Sequence, residues 1–180
     1  MISALNERPA HPTSHAAVCS LADCRALLNV FGPERYTAST PLLPGGTVGQ
    51  HARHLLDHFS ALFRAAPDAP IDYDARARGT EVETSFNAAI DEIDRLSTLL
   101  RAVDAARAEA PVTVRLMIRA DGTRAVHAST LGREVAFAVH HAVHHHAMIA
   151  AIARDIGLKI PEGAGLAPAT RHHHGHAQSR

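Results

Sequence analysis

The chain has 180 residues, with 18 Lys+Arg against 18 Asp+Glu, 46% hydrophobic residues and 20% charged ones. This length suits one domain and this apolar share supports a real core, which excludes a wholly disordered chain and a polybasic nucleic-acid binder. Trp is absent and the 2 Tyr and 5 Phe offer little base-stacking surface, whereas 15 histidines are an excess of the side chain that titrates and ligates metals near neutral pH.

Cys19 and Cys24 are too few for a disulfide framework and lack paired-cysteine zinc spacing, so a reduced intracellular setting is expected. The first twenty residues, interrupted by Glu7, Arg8, Pro9 and Pro12, do not read as a signal segment. No stretch approaches the ~20 apolar residues of a membrane span. The expectation is a cytoplasmic chain with neither membrane nor nucleic-acid partners.

Residues 1–15 lack a period and read as a flexible arm. A first helix carries Leu21, Leu27, Leu28 and Phe31 and ends at Gly32-Pro33. After a turn-rich connection through Pro41, Pro44, Gly45 and Gly46, Thr47 caps a second helix reaching about Ala66, with Val48, Leu55, Phe59, Leu62 and Phe63 as its apolar stripe. The charged segment from Ile71 to Arg78 reads as an ordered surface loop. A third helix spans about Thr84 or Ser85 to Ala106, with Phe86, Ile90, Ile93, Leu96, Leu100 and Val103 near a 3.5-residue repeat.

Pro111 ends the helical pattern. The branched run Val112 to Ile118, then Asp121-Gly122 and Ala125-Val126-His127, signals a hairpin. Ser129 or Thr130 caps a fourth helix reaching about Ile156, with Gly157 as its stop. From Pro161 onward the chain reads as mostly extended, and residues 171–180 as a His-rich flexible tail. Residues 16–170 are therefore expected to form an all-α, up-down four-helix bundle with a small β-hairpin before its last long helix.

The histidines concentrate in helix two (His51, His54, His58), helix four (His140, His141, His144, His145, His146) and the tail (His172, His173, His174, His176). Facing side chains in a bundle core are a recurrent way to build a metal site. On helix four, residues four apart share a face. The His141/His145 pair flanks the buried face, His140/His144 points further toward solvent, and His146 falls on the opposite flank. An i, i+4 pair of imidazoles at a core edge can bind one divalent ion. In helix two, periodicity does not choose among His51, His54 and His58, although His51 and His58 sit closer to the apolar stripe. No His-Glu-x-x-His helix, G-x-S-x-G elbow or phosphate loop is present.

The segments Gly49-Gln50-His51-Ala52-Arg53-His54-Leu55-Leu56-Asp57-His58-Phe59 and Ser129-Thr130-Leu131-Gly132-Arg133-Glu134-Val135-Ala136-Phe137, the latter leading into His141-Ala142-Val143-His144-His145, resemble the DinB-like superfamily of YfiT-like four-helix-bundle metalloproteins. The resemblance covers about Thr47 to Arg171. Residues 73–78 and 167–171 resemble one branch of it. It implies one divalent ion held by a helix-two histidine, matched here by His54, and by a helix-four pair matched by His141 and His145. His51, His58 and His144 then stand as neighbouring or alternative ligands.

The resemblance implies a metal-dependent enzyme of the thiol S-transferase or hydrolase type, acting on a small molecule such as a low-molecular-weight thiol, and a homodimer. Three neutral imidazoles leave coordination positions open, where a bound water or thiol loses its proton more readily. All-imidazole coordination suits zinc, nickel, Fe(II) or copper, and zinc or nickel is the expected ion. Asp57, Asp74, Arg76 and Arg78 reach substrate only if their loop covers the site, and are otherwise surface salt links. The competing expectation is a non-catalytic, metal-buffering or stress-responsive protein loading ions on its tail.

Overall fold

The computed structural model describes residues 11–43, 46–66, 68–75 and 79–177. It is mostly helical, with a small three-stranded sheet. In order, the elements are α1 (Pro12–Phe31), a 3-10 turn (Pro33–Arg35), α2 (Val48–Arg64), β1 (Ile71–Asp72), α3 (Glu81–Thr84), α4 (Phe86–Arg101), α5 (Ala105–Ala108), β2 (Pro111–Met117), β3 (Arg124–Thr130), α6 (Leu131–Asp155) and α7 (Pro168–Ala177). The four long helices contact one another in a ring, α1 against α4 and α6, and α2 against α4 and α6.

Local chemistry sets the ends of these helices. Thr47 and Gln50 form a reciprocal capping box at the start of α2, which satisfies two otherwise orphaned N–H groups. Ser85 accepts from Ala88 N at 3.3 Å, and Thr130 accepts from Arg133 N at 3.3 Å. Gly157, at φ 77°, turns the chain out of α6 in a conformation a Cβ would resist. Most of the expected stripes are buried, Leu55, Phe59 and Leu62 from α2 and Ile93, Leu96 and Leu100 from α4, while Phe63, Phe86 and Ile90 are partly buried; with Leu131, Val135, Ala142, Ile149 and Ile152 from α6 they meet Leu21, Leu27 and Leu28 of α1 in one core.

The sheet has order β1-β2-β3. The hairpin pairs β2 and β3 antiparallel from Pro111↔Thr130 to Met117↔Arg124. The third strand corrects the reading of residues 71–78 as surface loop. Ile71 and Asp72 pair in parallel with Val114 and Arg115, and Ile71 and Tyr73 are buried. Two apolar side chains alternate about Asp72, a two-residue pattern too short to stand out among the charges around it. Arg76 and Arg78 lie outside the described residues, as do Pro44, Gly45 and Pro67.

Three further boundaries differ. The arm expected over residues 1–15 is helical from Pro12, because proline is favoured at a first helical position and His11 accepts from Thr13 N at 3.4 Å; residues 1–10 lie outside the described ones. Helix three stops at Arg101, since Ala102 and buried Val103 turn the chain and Asp104 caps the separate α5. The segment expected to be extended from Pro161 is helical over Pro168–Ala177. There Arg171 donates to Asp23 of α1 at 2.8 Å and to the Gly163 carbonyl at 3.0 Å, tethering α7 to the body. No helix among the described residues is long and apolar enough to cross a membrane.

Gly49 marks the closest approach of α2 to the α3 segment. Its N–H donates to the Tyr36 carbonyl at 2.9 Å, and a Cβ there would collide with the Glu83 carbonyl oxygen and lie 2.8 Å from the Tyr36 ring. Gly49→Ala is expected to destabilise the fold by about 1–3 kcal/mol through overpacking. Gly132→Ala, where the nearest atoms lie at 3.1 and 3.2 Å, should cost less, and urea unfolding of the two variants measures the difference.

Candidate metal centre

The packing of α2 against α6 brings five imidazoles together. Within α2, His54 and His58 are one turn apart, with ring centroids 4.8 Å apart and planes at 86°. From α6, His141 and His145 lie 4.9 and 4.7 Å from His54, at 84° and 88°, and 4.7 Å from each other at 57°. His51 closes the group through Nδ1, 3.2 Å from Nδ1 of His145. His144 is exposed, with its ring 5.2 Å from that of His145. His140 is exposed. His146 points elsewhere, lining a cavity of about 180 Å³ with Ser20, Asp23 and Arg171.

His54, His58 and His141 each offer a ring nitrogen within 4.8 Å of the others. Nitrogens bound at about 2.0–2.1 Å to one tetrahedral ion lie about 3.4 Å apart, so side-chain rotation on the order of an ångström closes such a set. Orientation separates His58 from His145. His58 stacks on His141 with centroids 3.7 Å apart and planes 23° apart. The His145 ring lies 4.7 Å from that of His141 at 57°, but its Nδ1 is engaged with His51 and it is not part of the set of close nitrogens among the described residues. His54 and His141 belong to either set.

The protonation pattern follows from the hydrogen bonds. Nδ1 of His58 lies 3.0 Å from the His54 carbonyl, an acceptor only, so Nδ1 donates and the neutral ring carries its lone pair on Nε2. One proton links Nδ1 of His51 and His145. Burial, then the neighbouring His141, His54, His51 and His144, drives His145 down to about 2, and burial, then His144, lowers His51. Nε2 of His51 is buried without a hydrogen-bond partner among the described residues. A cluster of neutral nitrogen donors of this kind could hold a metal ion.

One wall is aromatic. Tyr73 stacks on His58 at 5.1 Å and 17°, and Phe137 lies 5.3 Å from Tyr73 and 6.3 Å from His141. The Tyr73 hydroxyl donates to Glu134 Oε2 at 2.8 Å. Glu134 is fully buried and also accepts from Ser129 and Arg133, each at 2.6 Å. Burial and the Glu134 charge raise the Tyr73 pKa, so the phenol stays a donor.

The sequence profile of the DinB superfamily matches residues 20–149. This chain belongs to the DinB superfamily. The DinB-superfamily chain is also similar, at 32% identity over 104 residues, to FK506-binding protein 5 of Rhizopus delemar (strain RA 99-880 / ATCC MYA-4621 / FGSC 9543 / NRRL 43880). The match covers 57% of this chain and 27% of that protein, so the chain spans about a quarter of that relative's length. No solved structure matches it.

Within this DinB-superfamily chain, Asp57 is engaged by Arg53 at 2.9 Å and Asp74 by the Met117 N–H at 2.5 Å, both structural contacts. Sequence reasoning assigned no role to Tyr73, Phe137 or Glu134. A signal for Glu134 exists: it lies three residues after Leu131 and four before Ala138, on the apolar face. An acid in a first helical turn is so common that this position does not stand out.

Buried neutral histidines make the metal-free fold sensitive to acid. Burial first, with Arg171 adding and Asp23 opposing, takes His146 from 6.5 to about 4. The unfolded chain therefore binds its proton below about pH 6.5 while the folded chain does not. Stability is complete above that pH and falls as pH drops toward 4, by on the order of 3 kcal/mol for this residue, with His145 adding in the same direction. Urea unfolding of metal-free protein between pH 7.5 and 4.5 should show this decline, with a shallower slope for His146→Leu.

Proposed function

We propose that the chain is a divalent-metal enzyme of the thiol S-transferase or hydrolase type. In this reading the four long helices form an up-down bundle, and His54, His141 and His145 hold zinc or nickel. The observation that carries it is the proximity of His54 from α2 to the i, i+4 pair of α6, each pair of ring centroids separated by less than 5 Å. A three-histidine set leaves coordination open for a small substrate, in keeping with a low-molecular-weight thiol. The free cysteines Cys19 and Cys24 accord with a reducing, cytoplasmic setting.

A divalent ion there would supply Lewis acidity, lowering the pKa of a thiol or water brought to it. The protein's own groups do the rest. For His145 to ligate through Nε2, its Nδ1 must donate to Nδ1 of His51. That places the His51 proton on Nε2, beside Gly46, and makes His51 the group that fixes the tautomer and orientation of His145. Tyr73 and Phe137 exclude water from the His58 and His141 side.

The metal-buffering alternative draws on His172, His173 and His174, which are exposed on α7; the His176 side chain lies outside the described residues. Elemental analysis after loading with zinc or nickel and desalting decides between them. The enzyme reading expects one tightly held equivalent per chain, kept when the chain is ended at Thr170 and reduced at least tenfold in affinity in His54→Ala and His141→Ala. Loss of most bound metal on truncation, with both substitutions neutral, would overturn it.

A further inference from the structure

His58 is close enough to complete a fourth nitrogen ligand, yet three contacts hold it as a wall. Its Nδ1 donates to the His54 carbonyl at 3.0 Å, and its ring lies nearly parallel to both His141 and Tyr73. His58 already offers a ring nitrogen within 4.8 Å of those of His54 and His141, but closing that gap to the separation of two ligands on one ion, about 3.4 Å, would draw the ring out of that stack. Tyr73 cannot readily follow it. Its hydroxyl is tied to Glu134, a fully buried carboxylate that Ser129 and Arg133 also hold, and freeing a buried charged acceptor from its donors is costly.

Resting on the three-histidine reading above, we infer that Tyr73, anchored by Glu134, is a positioning residue that keeps His58 out of the coordination sphere and so holds a position open for substrate. A fourth imidazole would turn an open site into a closed one of the structural kind. The hairpin and β1 thereby act on the metal centre from outside the helices that carry its ligands. Tyr73 follows β1, whose pairing with β2 fixes its place, and Ser129 belongs to β3.

The test uses the full chain loaded with Co(II) and reads its visible spectrum before and after addition of 2-mercaptoethanol. The wild type is expected to show weak bands that change on adding the thiol. Tyr73→Ala should give bands several-fold more intense, as in a closed tetrahedral site, with no response to thiol. Tyr73→Ala combined with His58→Phe should restore the wild-type spectrum and response, and Tyr73→Phe, which keeps the ring without its anchor, should fall between. His58→Phe alone should keep its full equivalent of Co(II) and its thiol response, a check that does not depend on how well Tyr73→Ala folds. The inference is overturned if His58→Phe loses the ion, since His58 is then a ligand, or if Tyr73→Ala keeps the wild-type spectrum and response. Failure of the three-histidine reading looks different: no Co(II) uptake by the wild type, or uptake unaffected by His54→Ala, and overturns both.

Discussion

Everything at the candidate site depends on the contact between α2 and α6, because the imidazoles of one helix meet those of the other only there. Around that contact the helices bury Leu55, Phe59, Val135 and Ala142 in ordinary apolar packing. At the site, the same interface carries His51, His54, His58, His141 and His145. Burial in such a seam removes water from the rings and disfavours their charged forms, as the low value for His145 records. The apolar seam therefore sets the chemistry of the site as well as its geometry: neutral nitrogens are what a borderline divalent ion takes, and protonated ones would repel it.

The small sheet matters out of proportion to its size. Its hairpin leads directly into α6, with Leu131 N donating to the Ala110 carbonyl at 3.0 Å, and β1 adds a third strand in parallel. These pairings bring Tyr73 and Ser129 to the same buried carboxylate, Glu134, at the start of α6. Two backbone pairings and one carboxylate thus define the wall against which His58 rests. A buried carboxylate with three donors is a high-stakes feature, stable only while each partner is in place.

Much of this was legible in the amino-acid order. The 3.6-residue stripes of α2 and α6 and the cap residues Thr47 and Thr130 located two of the long helices closely, and Asp121-Gly122 located the hairpin. Spacing marked two i, i+4 pairs on the last long helix, and the apolar face beside His141 and His145 singled out that pair. Other features were not legible, for identifiable reasons. The pairing of Ile71 and Asp72 depends on a partner strand some forty residues away, and charges surround it. Pro12 reads equally as a breaker or as the first residue of a helix until His11 is seen accepting from Thr13. The helix at Pro168 depends on Arg171 meeting Asp23 across 148 positions of sequence.

The histidine excess with which the chain announces itself has the same division. By itself the sequence determined which residues share a helical face, since backbone periodicity is local: His51, His54 and His58 on one helix, His141 and His145 on another. Periodicity did not choose among the helix-two histidines, and only the family resemblance pointed to His54, because a helical wheel carries no information about what stands opposite. Only the tertiary structure decided that His54 lies within 5 Å of both members of the α6 pair, that His51 meets His145 edge to edge, and that His58 is taken up by Tyr73 and His141. Those distinctions depend on how two helices and a two-residue strand meet in space, and side-chain contacts across that distance are set by packing.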